Sequence, residues 1–126
     1  MSAELLSRVR NHINHLLTGY TVKYYRWSDD DLATEAGKVI MFRMNGTGVG
    51  NHQRQLQDVR ISVMSSPDDV ASADDDMLAI LRYLRANYEA TDVFNMEPFG
   101  NYAGPIWLSN GRALFEMTVR CGVEDH

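Results

Sequence analysis

The chain has 126 residues, the usual size of one domain with one modest core. Apolar residues make up 44% and charged residues 23%, which excludes a largely disordered chain. A formal net charge of −5 excludes general attraction to nucleic acid or anionic membrane and leaves only local patches open.

Ser2 followed by Glu4 can cap and charge a helix start. Leu6, Val9, Ile13 and Leu16 or Leu17 then recur at helical spacing until Gly19 stops the run. The opposite face carries Arg8, Arg10, Asn11, Asn14 and His15, so the helix should pack one stripe on a sheet. Thr21 to Trp27 is rich in β-branched and aromatic residues and predicts a first strand, ended by Asp29, Asp30 and Asp31.

Val39 to Met44 predicts a second strand of nearly continuous apolar character. Asn45 to Asn51 follows with three glycines, and Gln53 to Met64 resumes as a third strand in which Val59, Ile61 and Val63 alternate with Arg60 and Ser62. The pair reads as a long hairpin with a mobile tip.

Ser72 precedes Asp74, Asp75 and Asp76. Met77, Leu81, Leu84 and Tyr88 continue at helical spacing, with Arg82 and Arg85 late in the element, and this predicts a second helix. Thr91 to Tyr102 contains Pro98 and Gly100 and fits a short edge strand followed by a loop.

The final segment holds two β-capable runs, Ile106 to Leu108 and Arg112 to Cys121. They flank Asn110-Gly111, which suits the positive φ angles of a type I′ hairpin. Ala113, Phe115, Met117, Val119 and Cys121 share one face, expected to be core. Leu114, Glu116, Thr118 and Arg120 share the other, expected to meet water or a partner. The fold class expected is α+β: a mainly antiparallel sheet of about five strands with two helices on one face, in the order α-β-β-β-α-β-β. One domain spans residues 1–126.

No residue pattern carries catalytic or metal chemistry. The Gly-rich GTGVG lacks both the Gly-Lys-Ser or Gly-Lys-Thr of a P-loop and a helix directly behind it. Neither aspartate triplet alternates its ligands or carries a Glu about 12 residues on, as a calcium loop does. His12 and His15 stand three apart without a neighbouring carboxylate partner and read as solvent-facing. Cys121 is the only cysteine, which leaves no internal disulfide and makes a thiolate zinc site implausible. It reads as a small core residue. No cofactor and no enzymatic activity are expected.

Ten of the twelve basic residues are Arg, a set suited to protein contacts, for which genome composition is the simpler explanation. The N-terminus lacks the apolar core of a signal peptide, and no run approaches the roughly 20 apolar residues of a spanning helix, so cytosolic residence is expected.

The element order and length, the Gly-rich hairpin tip, the Asp-started helix SADDDMLAILRYLRANY and the closing strand NGRALFEMTVRC together resemble the tail terminator (tail completion) proteins of long-tailed bacteriophages, of the lambda minor tail protein U-like kind. The resemblance implies a structural protein that forms a hexameric ring on the last ring of tail-tube subunits. Such a ring stops tube polymerisation and offers a surface to the head connector. It also implies assembly in the host cytoplasm, residence in the virion tail, and no membrane or sequence-specific nucleic-acid partner.

On that reading Gly46, Thr47, Gly48, Val49, Gly50, Asn51 and His52 would reach a neighbouring subunit or the tube. Arg54 and Arg60 would form ion pairs across the ring, with Asp29, Asp30 and Asp31 as partners. The Gly-rich tip would order only on a template, leaving a monomer or weak oligomer in dilute solution. Two other classes fit the composition. One is a small enzyme or ligand-binding domain using Tyr24, Tyr25, Trp27 and Trp107; the other is an acidic adaptor or inhibitor docking through its aspartates.

Overall fold

Apolar residues at every second position of residues 59–63 and 113–121 press two long strands onto one core, and the rest of the sheet extends outward from that pair. The computed structural model describes residues 2–27, 37–47, 54–88 and 95–124. Their elements are α1 (Ser2–Ile13), a 3-10 turn (Asn14–Leu16), β1 (Thr21–Tyr24), β2 (Val39–Thr47), β3 (Arg54–Met64), α2 (Val70–Ala86), β4 (Met96–Pro98), β5 (Ala103–Trp107) and β6 (Ala113–Glu124).

The fold is α+β. The sheet runs β1-β2-β3-β6-β4, with β5 also on β6. The β1–β2 pair is parallel and every other pair is antiparallel. Both helices lie on one face. Leu6, Val9 and Ile13 of α1 and Met77, Ile80, Leu81 and Leu84 of α2 join Ile40, Phe42, Val59, Ile61, Val63, Phe115, Met117 and Val119 in one buried cluster. Burying each such aliphatic or aromatic side chain contributes roughly 1.5–3 kcal/mol.

The sheet has six strands among the described residues instead of five. Pro98 of β4 pairs with Val119 and Ala103 of β5 pairs with Glu116, so one edge lies along β6 in two pieces. Four residues, 99–102, intervene on the edge against two on β6, and Gly100 takes φ +84° within them. The insertion bulges out and divides what would otherwise be one strand.

Three local expectations are also corrected. β1 ends at Tyr24, because Tyr25 takes φ +72° and turns the chain before Trp27. The β5–β6 turn is not type I′: Gly111 alone takes positive φ (+85°), and Asn110 instead accepts a hydrogen bond from the Arg112 N–H at 3.0 Å. With Gly111 N–H bonded to Leu108 O and Leu108 N–H to Arg112 O, the loop is a three-residue turn with glycine at the left-handed position. The sheet face opposite the helices is wet only at one end. Val39, Met41, Ser62 and Met64 share that face by register and are buried, because the continuous apolar run of β2 places large side chains on both sides.

Candidate functional site

Chain order leaves β5 at the sheet margin, since its pairing partner is β6 and β3 holds the other side of β6. Every residue of β5 is exposed. Trp107 is 63% exposed, Phe99 57% and Ile106 43%, so two aromatic rings and an isoleucine stand in water along one edge. Unpaired strand backbone beside exposed aromatics is a surface that other proteins pair with readily.

Phe99 also reaches back over the sheet face. Its ring lies 4.1 Å from the Arg120 guanidinium, which holds Asp58 through Nε to Oδ1 at 2.9 Å and Nη2 to Oδ2 at 3.2 Å. The fork is thus fixed from both sides, by a carboxylate and by an aromatic ring.

Next to it, Arg43 and Arg60 sit directly opposite each other on β2 and β3. Like charges in that position repel. Glu116 lies between them, 3.9 Å from Arg43 and 3.8 Å from Arg60, and also accepts from Ser62 Oγ at 3.1 Å. The result is a flat charged face flanked by an apolar edge.

The aspartates of α2 serve as tethers. The helix begins earlier than expected, at Val70, and its cap is Asp69, whose Oδ1 accepts from the Ser72 N–H at 3.2 Å. Asp74 to Asp76 therefore fall in the second turn. Asp76 accepts from Tyr20 at 2.7 Å and from Lys38 at 3.2 Å, and Asp74 accepts from Tyr102 at 2.5 Å. Burial and then the Asp76 hydrogen bond push the Tyr20 hydroxyl well above its usual range. The Asp74 hydrogen bond also pushes the Tyr102 hydroxyl up.

Arg112, read from sequence only as the start of a strand, is completely buried. Its Nε donates to Ser65 O at 2.8 Å and its Nη2 to Gly37 O, while Ser65 Oγ accepts from Ala113 N–H. A single guanidinium thus binds the β3–α2 connection to the residues before β2. Buried arginine on backbone carbonyls has no hydropathy signal, so the sequence pattern does not show it.

Cys121 is buried as expected, and burial pushes its thiol up to about 12. His15 is exposed as expected, and His12 is half-buried. His12 donates to Asn87 O at 2.6 Å and its ring lies 5.5 Å from that of Tyr83, which His15 also meets edge-on at 4.5 Å. They form a contact between the helices.

Of the contact residues expected from sequence, Gly46 and Thr47 continue β2 past a bulge, and Arg54 opens β3 opposite Glu124. Arg60 joins the charged face. Asp29 to Asp31 and Gly48 to His52 lie outside the described residues. Two open grooves flank α2: one of about 470 Å³ between Leu78, Arg82 and Tyr102, and one of about 300 Å³ between Leu84, Tyr88 and Pro98. Neither is lined by His12 or His15. Among the described residues no three His, Cys, Asp or Glu come together, and no helix is long and apolar enough to cross a membrane.

The features that stand out among the described residues are an open aromatic edge, a charged sheet face and open grooves. A family profile described as phage tail termination protein matches residues 2–125, and the chain belongs to that family. It is a component of the phage tail and acts in tail assembly. No curated protein matches the chain.

Proposed function

We propose that the chain caps the phage tail tube as a hexameric ring of the lambda-type kind, ends polymerisation of the tube and presents the ring's far side to the head connector. The observation that carries this reading is the open β4–β5 edge with Phe99, Ile106 and Trp107 exposed on a chain of this family. Exposed aromatics at a strand edge lose water on docking, and the adjacent Arg43, Arg60 and Arg120 set register more than affinity. The role is structural, without catalysis. Arg60 and the Gly46 to His52 tip are contact residues within that ring, as are Arg54 and Asp29 to Asp31.

The test is to mix the purified protein with tail tubes and filled heads. Capped tubes and joined particles support the proposal, and tubes that neither cap nor join heads contradict it. An enzyme reading would call for a deep pocket with convergent polar groups, and the two grooves beside α2, formed by described residues, are open.

A further inference from the structure

We infer that the groove bearing Arg82 and Arg85 receives the acidic start of α2 from a second copy of the chain, joining subunits head to tail. The inference rests on the ring reading and names the contact within it.

The groove of about 470 Å³ lies between α2, which contributes Asp74, Leu78, Leu81, Arg82 and Arg85, and the segment carrying Asn101, Tyr102 and Gly104. Arg82 and Arg85 are exposed on its rim. Among the described residues Arg82 makes no ion pair, and Arg85 makes only a long 3.5 Å hydrogen bond to Gly100 O. Asp74 is the one carboxylate lining the groove and is engaged by Tyr102. Two arginines against one carboxylate leave an excess of one positive charge, on a chain whose net charge is −5.

The complementary surface lies at the other end of the same helix. Asp68 and Asp75 are exposed just before and within the early turns of α2, and neither has an ion-pair partner among the described residues. Fourteen residues separate Asp68 from Arg82 and seven separate Asp75 from it, about 20 and 10 Å along a helix axis, both beyond an ion pair within one molecule. The two surfaces differ, and repeating such a contact from copy to copy closes into a ring when the rotation allows. The groove is mostly polar, so the charges choose the partner end.

The test is charge reversal with complementation. Arg82→Glu/Arg85→Glu and Asp68→Lys/Asp75→Lys should each weaken self-association at high protein concentration about tenfold or more, since both place like charges in contact. An equimolar mixture should recover to within about threefold of wild type, because every contact in an alternating ring is again attractive. A second measurement covers variants that fail to fold. Asp68→Cys/Arg82→Cys in one chain should oxidise to an intermolecular ladder, because a disulfide spans no more than about 7 Å between Cα atoms and Cys121 is buried. Wild-type association unchanged by either reversal, without a ladder, overturns this contact and leaves the ring. Wild type that stays monomeric at every concentration, and on tube ends, overturns both.

Discussion

Tyr20 donates its hydroxyl to Asp76 Oδ2 at 2.7 Å, tying the residue before β1 to the second turn of α2 across 56 positions of sequence. Lys38, just before β2, meets the same carboxylate at 3.2 Å and lies over the Tyr20 ring at 4.6 Å. One aspartate therefore gathers three elements. Tyr20→Phe should cost about 1 kcal/mol at neutral pH, the net worth of one hydrogen bond, as read by urea denaturation. Asp76→Ala should cost more, because it releases Lys38 as well.

The same measurement at alkaline pH has a defined sign. Tyr20 and Cys121 both have folded-state values raised above their ordinary values of 10.0 and 9.0. Groups shifted upward stabilise fully below the unfolded value, and that stability is lost as pH rises toward the folded one. Stability should hold to about pH 9 and then fall, by at most about 1.4 kcal/mol per pH unit for each group. Cys121→Ala should lower stability at neutral pH but flatten the fall between pH 9 and 12.

Glycine substitutions should separate two kinds of strain. At Gly104, with φ +137°, an added Cβ would stand 2.6 Å from Phe115 Cδ1 and 2.8 Å from Leu114 O. At Gly100, with φ +84°, it would meet nothing within 4 Å. Gly100→Ala should cost about 1–2 kcal/mol from backbone conformation alone. Gly104→Ala should cost clearly more, because β5 must move off β6. Thermal unfolding of the two variants ranks them.

Arg112 gives a further expected loss. Replacing it with Met keeps apolar bulk but leaves the Ser65 and Gly37 carbonyls without their guanidinium donor. Ser65 is buried and its orphaned carbonyl costs about 1–3 kcal/mol, whereas Gly37 is exposed and its carbonyl can turn to water, so Arg112→Met should destabilise by about 1–3 kcal/mol. Lysine should rescue only part of this, since one ammonium cannot reproduce the fork.

Periodicity made the core legible. The alternation of Val59, Ile61 and Val63 and of Ala113 through Cys121, and the helical spacing of Leu6, Val9, Met77 and Leu84, placed those side chains inward as the structure has them. Pairing across distance was not legible. The β1–β2 pair is parallel, so no hairpin turn joins it, and the joint edge of β4 and β5 depends on where residues 99–102 bulge; local propensity encodes neither. The aspartates of α2 looked like helix-start charges, because the tyrosines that use them, Tyr20 and Tyr102, come from elsewhere in the chain. The candidate contact surface was only partly legible. Arg60 lies on the charged face, whereas the exposed edge at Phe99 and Ile106 was missed because single apolar residues do not reveal exposure.

The edge should be dispensable for folding and required for assembly. Phe99→Ala with Trp107→Ala should leave unfolding within about 0.5 kcal/mol of wild type apart from any loss of the Phe99–Arg120 stack, since both side chains are largely in water. The most direct measurement is the length of tail tubes polymerised from purified tube subunits, seen by electron microscopy. Wild type added during growth should stop elongation and leave capped ends, and the double variant at the same concentration should leave growth unchecked. A length distribution that wild type leaves unchanged would contradict the capping role.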